Sequence, residues 1–200
     1  MDDSVLEAIK RWPNVPAVFG WLSLTARGQW RLHPDGNAHE GSVGESISNP
    51  QILAFISRNY AHDEHGQWFF QNGPQRVYVR LDAAPWIVFA DDSQATLATH
   101  TGLTIESVTD ISIDDAGRLY LQTERGTGML IDRDLPRFAQ SLRTESGQSL
   151  EDWWADGPSQ ARLVATSPKW HACCQHLTIT KLRADQATDR QLGFVANPKP

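Results

Sequence analysis

Cysteine is scarce in this sequence of 200 residues: there are two, and they are neighbours, Cys173 and Cys174. Adjacent cysteines seldom reach the geometry of an unstrained disulfide, which excludes a secreted scaffold held together by disulfides. Lysine is scarce too, with four against fourteen arginines, and no Gly-x-x-x-x-Gly-Lys string exists to form a phosphate loop. Gly126-Thr-Gly128 lacks the third glycine of a dinucleotide loop and leads into a strand instead of opening a helix. No cofactor is therefore expected. No apolar run approaches the roughly 18 residues of a membrane span, and the opening MDDSVLEAIKRW has acids where a secretory signal needs Lys or Arg. Basic clusters are missing as well. The net charge of −6 is spread evenly, with 7 Lys+Arg against 11 Asp+Glu in the first hundred residues and 11 against 13 in the second. A nucleic-acid partner needs a cationic footprint that this chain does not carry. These absences point to a cytoplasmic protein with neither a nucleic-acid nor a membrane partner.

What is present describes an ordinary globule, 40% hydrophobic and 21% charged, long enough for one core or two small packed subdomains. Ser4-Val-Leu-Glu7 has the form of a capping box opening a helix with Val5, Ile9 and Trp12 on one face. The segments 21–25 and 29–32 read as a hairpin turned at Arg27-Gly28, and residues 33–46, rich in Gly and polar groups, read as a mobile loop. Asn49-Pro50 starts the clearest helix, through Tyr60. Gln67–Phe70 and the period-2 segment Arg76–Leu81 form a second hairpin around Asn72-Gly73-Pro74, and a strand follows at 85–90. Short strands recur at 96–99, 107–113, 118–123 and 128–131, with Asp114-Asp-Ala-Gly117 as a hairpin turn. Asp134 opens a helix over 135–142, Ser149 caps a short helix bearing Trp153 and Trp154, and strands close the pattern at 161–166 and 176–182. Trp12, Trp21, Trp68 and Trp86 fall beside other hydrophobes and are read as core; one of Trp153 and Trp154 is left for an interface.

The strings Trp12-Pro-Asn-Val-Pro16, Gly20-Trp-Leu, Arg58-Asn-Tyr60, Trp68-Phe-Phe-Gln-Asn-Gly-Pro-Gln-Arg-Val77, His100-Thr-Gly102, Asp132-Arg-Asp-Leu135 and Gly193-Phe-Val195 resemble a family of uncharacterised proteobacterial proteins of about this length. A second, more distant uncharacterised bacterial family is similar in order: a helix (here 50–60), an Asp-x-x-Gly before a strand (Asp63 to Gly66), a Val-rich strand (76–81) and an Ala-Pro-aromatic segment (84–86). That resemblance implies an α+β piece packed on a mostly-β roll, divided here into 1–82 and 83–200, the two forming one compact unit. Neither family brings an established activity.

The candidate chemistry is thin. His171-x-Cys173-Cys174-x-His176 offers four metal-ligand types in six residues, but adjacent cysteines on an extended chain point to opposite faces, so buried thiols are the expectation and metal the minority reading. His62-Asp63-Glu64-His65 reads as a solvated turn. Gln71, Asn72, Gln75 and Arg76 put amides and a guanidinium around one turn, a combination suited to holding an anion. His100 with Asp132 or Asp134 has the residue types of an acid–base pair, though no Ser or Cys in a nucleophile elbow accompanies them. The leading expectation is a non-catalytic binding or adaptor protein, its site between the two pieces near Arg58, Asn59, Gln71, Asn72, Gln75, Arg76, His100 and Asp132, its partner a small anionic ligand or a protein. The competing expectation is a hydrolase-like enzyme using His100 and Asp132.

Overall fold

The computed structural model describes residues 1–91, 96–166, 173–174 and 177–200. The chain forms two units, Met1–Pro85 together with Gly193–Pro200, and Trp86–Leu192. The fold is α+β with mostly β content, as the strand and hairpin pattern of the sequence implies.

In the first unit, helix α1 (Asp3–Arg11) precedes strands β1 (Val18–Leu24), β2 (Trp30–Leu32) and β3 (Glu45–Ser46), then helix α2 (Pro50–Arg58) and strands β4 (Tyr60–His62), β5 (Trp68–Asn72) and β6 (Gln75–Leu81). The sheet order is β3-β2-β1-β6-β5-β4. Sequence neighbours pair as antiparallel hairpins, whereas β1 and β6 meet in parallel. Helix α2 starts where Asn49 accepts from the backbone N–H groups of Gln51 and Ile52, at 2.9 and 3.3 Å, with Pro50 at a position that needs no donor. Ile56 anchors that helix on the core, while Ile52 stays exposed. Tyr60 meets Trp30 edge-on at 5.1 Å and lies 4.8 Å from Trp68, and its buried hydroxyl donates to the Pro85 carbonyl at 3.1 Å. That bond satisfies the one polar atom such a ring carries into the core.

The capping box expected at Ser4 does not form. Helix α1 begins two residues earlier, behind Asp2, and the Asp2 carboxylate is drawn instead to Arg58 and Asn59. Trp12 and Trp21, expected in the core, are 52% and 44% exposed, whereas Trp68 and Trp86 are buried. The closing segment docks on the first unit: Phe194 is buried, Val195 donates to the Gly66 carbonyl at 3.0 Å, and Leu81 donates to the Ala196 carbonyl at 2.7 Å.

The second unit carries a sheet in the order β13-β14-β15-β10-β11-β12-β7-β8-β9, built from β7 (Trp86–Asp91), β8 (Thr96–Thr99), β9 (Thr104–Ile105), β10 (Val108–Ile113), β11 (Leu119–Thr123), β12 (Gly126–Leu130), β13 (Leu142–Thr144), β14 (Gln160–Ala165) and β15 (Leu177–Lys181). Helices α3 (Leu135–Gln140), α4 (Leu150–Asp156) and α5 (Thr188–Leu192) interrupt the strands. Parallel contacts between β10 and β15 and between β12 and β7 stitch the hairpins into one sheet. At the β12–β7 contact a Cβ on Gly128 would stand 2.6 Å from Val88 Cγ2, so this glycine permits the strands' approach. Asp114 closes the β10–β11 turn by accepting from the backbone N–H groups of Ala116 and Arg118, while its second oxygen takes Arg118 Nε at 2.7 Å and the Tyr120 hydroxyl at 3.2 Å. Trp153 is fully buried and Trp154 half-buried; Lys181 lies 5.0 and 5.4 Å from their rings and caps α4 by donating to the Trp154 and Gly157 carbonyls.

Candidate functional site

The residues singled out by sequence fall six in the first unit and two in the second. Arg58 binds the Asp2 carboxylate through Nε and Nη2 at 3.0 to 3.2 Å, which holds the start of α1 to the end of α2. The Arg58 guanidinium, followed by Asn59, lowers the Asp2 pKa, and Arg58 is raised in return. Asn59 is buried; its Oδ1 accepts from the Asp2 backbone at 2.8 Å and its Nδ2 donates to the Phe55 carbonyl at 2.9 Å. Gln71 is also buried and donates to Gly73 O at 2.8 Å. Asn72 pairs with Gln75 across a turn in which Gly73 has φ 57°, and Gln75 donates to Pro16 O. Arg76 lies over the Phe69 ring at 4.7 Å. Each of these partners is part of the fold's own fabric, a cap, a turn or a cross-strand stack.

In the second unit, His100 donates its backbone N–H to the Ile87 carbonyl and accepts the Ile87 N–H on Nδ1 at 3.3 Å, extending the strand ladder. Burial lowers its pKa to about 3. A ring held neutral that far down is a poor base for an acid–base pair. Asp132 is exposed and accepts the Arg133 backbone N–H. Asp134 accepts from Ala90 N at 3.0 Å and pairs with Arg133 Nε at 2.9 Å; burial pulls its pKa up, but these bonds outweigh that and hold it low. Of the suggested metal ligands, His171 and His176 lie outside the described residues. Cys173 and Cys174 are buried, with their sulfurs 3.5 Å apart on one side of the chain and not on opposite faces, because the backbone turns at Cys173. The two thiols share a hydrogen bond in which either sulfur can donate, and the pairing lowers the Cys173 pKa and raises that of Cys174. Among the described residues, no group of three or more His, Cys, Asp or Glu is placed to hold a metal ion. In the turn at Asp63, the carboxylate accepts from His65 N, Gln67 N and the Tyr78 hydroxyl. Burial would raise its pKa; those donors lower it.

A different set of residues makes a pocket. In the sheet of the first unit Ser23 pairs with Arg31 on one side and with Arg80 on the other. Residues in register share a face, so two guanidinium stems rise from the same side of the sheet, two strand spacings or about 10 Å apart, flanking a small hydroxyl. Their strand neighbours Leu22, Leu24, Trp30, Val79 and Leu81 are buried, because alternation sends the apolar positions to the other face. The polar face is covered by the segment 33–44, part of the stretch 33–46 that sequence reads as mobile, and it is tied down at several points. His33 is buried between Ser23 Oγ, 2.8 Å from Nε2, and Ser42 Oγ, 2.6 Å from Nδ1. Ser42 donates to the Asn37 carbonyl and to Asn37 Oδ1. A carbonyl only accepts, so the Ser42 proton is committed there; His33 then carries its proton on Nδ1 and accepts from Ser23 on Nε2. Burial lowers the His33 pKa, and Arg80 adds to this. Gly44, at φ 67°, closes the chain over that ring; a Cβ would lie 2.6 Å from His33 Cε1. Arg80 Nη1 donates to the Ala38 carbonyl at 2.6 Å and the Ser42 carbonyl at 3.2 Å, Arg80 Nη2 binds Asp82 at 2.9 Å, and Asn197 Nδ2 donates to the His39 carbonyl at 3.1 Å.

The hollow here is open to solvent and about 450 Å³ in volume, lined among others by Arg31, His39, Ser42, Arg80, Asp82 and Asn197. Two arginines against one aspartate leave one formal positive charge in a chain whose total is −6. Arg31 Nε, Arg80 Nε and Asn197 Oδ1 are buried without a hydrogen-bond partner in the protein. Each such atom costs about 1–3 kcal/mol, and each has less than 1 Å² of accessible surface, so all three are closed off from the hollow in this conformation. A second hollow of about 460 Å³ in the other unit sets Arg133 and Arg137 against Asp91 and Asp134, a balanced charge with Arg133 and Asp134 paired. Sequence reasoning missed the first pocket although a signal was present: Leu22-Ser-Leu24, Trp30-Arg-Leu32 and Val79-Arg-Leu81 each set one polar residue between two apolar ones.

Comparison with known proteins bears on kinship. No curated protein matches the chain. A DUF1285 family protein from Silicibacter pomeroyi DSS-3 is similar in structure, at a TM-score of 0.48 and 16% identity over 77% of this chain and 100% of the other. A DUF1285 family protein from Shewanella baltica OS155 is similar at a TM-score of 0.44 and 17% identity over 60% of this chain and 91% of the other. The family model DUF2944, described as "Protein of unknown function (DUF2946)", matches residues 1–199. The chain belongs to that family of proteins of unknown function.

Proposed function

We propose that this protein binds a small organic anion in the pocket on the polar face of its first sheet, and that it acts as a binding protein. The observation that carries the reading is the register row Arg31, Ser23, Arg80, which raises two arginine side chains from one face of the sheet into the lining of one hollow. A guanidinium recognises carboxylate and phosphate by paired, charge-assisted hydrogen bonds, and Arg keeps its charge at any working pH. The surplus positive charge in a hollow of this size supports the same ligand class.

Thermal unfolding against a panel of carboxylates and inorganic phosphate at constant ionic strength tests the reading. A ligand present at 100 times its Kd raises stability by about 2.7 kcal/mol, and the midpoint moves accordingly. Arg31→Ala removes one arm of the clamp and leaves the Arg80 bonds to the covering segment in place, so it should abolish the shift while the protein stays folded. A panel with no active member, or an Arg31→Ala protein that responds like the unaltered chain, overturns the proposal.

A further inference from the structure

The ring of His33 is where the covering segment meets the sheet. Its Nδ1–H donates to Ser42 Oγ at 2.6 Å, near the far end of the same segment, and its Nε2 accepts from Ser23 Oγ at 2.8 Å, on β1 beneath it. His33 is 1% and Ser23 0% exposed. A Cβ on Gly44 would lie 2.7 Å from Nε2, so the chain lies against the ring there with no space for a water. Among the described residues, His33 is the partner of the Ser23 hydroxyl. Burial is the first cause that keeps the ring neutral. The charged groups acting on it are Arg80 on β6, Asp82 just after that strand and Arg31 on β2: both arginines oppose a proton there, and Asp82, already bound by Arg80 Nη2, favours one.

From this arrangement, and whatever the hollow binds, we infer that His33 is an acid-sensitive latch: a proton taken up on Nε2 unseats segment 33–44 from β1 and loosens the cover over the Arg31–Ser23–Arg80 row. A protonated imidazole donates from both nitrogens. The bond to Ser42 survives, because its hydroxyl oxygen still accepts from Nδ1. At Ser23 two protons face each other until the hydroxyl turns, and turning leaves its proton in a fully buried place without the acceptor it now has. The new cation also joins two guanidinium groups of the same sign. The segment thus keeps its own closure and loses its seat on the sheet. Arg80 and Asn197 still hold it at the Ala38, Ser42 and His39 carbonyls, so the release starts at the His33 end.

Amide hydrogen exchange on the full chain without ligand, read residue by residue by NMR and corrected for intrinsic rates, tests the latch. The informative amides are those of His33 and Gly36, which donate to the Trp21 and His33 carbonyls. From about pH 7.5 to about pH 5.5 their opening equilibrium should rise by more than about threefold, toward a limit of about tenfold set by an open-state pKa near 6.5. Amides of β5 and β6, in the same sheet, should change by less than about twofold over that range. His33→Gln keeps an acceptor for Ser23 and cannot titrate, so at the same two amides it should also respond by less than about twofold. Equal responses in the two proteins, or a rise spread evenly over the sheet, overturns the latch. If His33→Gln fails to fold, the ring-nitrogen shifts of His33 in the unaltered chain decide: titration below about pH 6.5 supports the latch, and titration at or above it overturns it.

Discussion

Lowering the pH from 7 to 5 should weaken the second unit by an amount that one side chain accounts for. Burial holds the pKa of His100 at about 3, against about 6.5 in an unfolded chain. As the pH falls, the unfolded chain therefore takes up a proton that the folded chain refuses. The stabilisation is complete above about pH 7, declines through the window from 6.5 toward 3, and is flat below it. Between pH 7 and pH 5 the loss comes to about 2 kcal/mol, or some 30-fold in the opening equilibrium. Carboxylates contribute little in this window, since their unfolded values lie near 4. Native-state hydrogen exchange on peptides spanning β7 and β12, corrected for intrinsic rates, gives the local opening free energy at each pH. His100→Asn retains an acceptor for the Ile87 N–H and cannot titrate; it should be less stable at pH 7 through lost contact with Trp86, but it should lose about 2 kcal/mol less than the unaltered chain on going to pH 5. Equal slopes in the two proteins would refute the argument, because they would show that His100 is protonated as easily folded as unfolded.

Two further outcomes test the local readings. Asp114→Ala strips the β10–β11 turn of a buried acceptor for four donors and should cost about 2–4 kcal/mol, seen as faster exchange in 108–123; a loss under about 1 kcal/mol would mean water replaces the carboxylate. Gly20→Ala places a Cβ against the Gly36 carbonyl at a residue with φ 81°, so it should loosen the covering segment 33–44, destabilise the first unit by more than about 1 kcal/mol and speed proteolysis within that segment.

Local chemistry made much of the fold legible. The Asn49-Pro50 helix start, the turns at Gly28, Gly73 and Gly117, and the Ser149 cap are each set by residues within a few positions of one another. The parallel contacts of β1 with β6 and β10 with β15 were not legible, because they join segments tens of residues apart with no turn to announce them. The same separation hid the site. His33 looked like part of a polar loop until Ser23 and Ser42 enclosed it, and the segment looked mobile because its tethers come from Arg80 and Asn197. Arg58, Asn59 and Gln71 misled for the opposite reason: polar residues beside turns and helix ends have structural work within the fold, which a single sequence cannot separate from ligand recognition.

The return of Gly193–Pro200 to the first unit has a consequence for synthesis. In order of translation, the second unit is nested within the first. At roughly 5–20 residues per second, the ribosome needs on the order of 5–20 s to make Trp86–Leu192 before Phe194 and Asn197 exist. Through that interval the sheet with its Arg31–Ser23–Arg80 row is without its last strap, while the second unit, continuous in sequence, has every residue it requires. The nested unit is thus able to mature first, and the pocket, which takes one wall from Asn197, is completed only after that unit has left the ribosome's decoding centre.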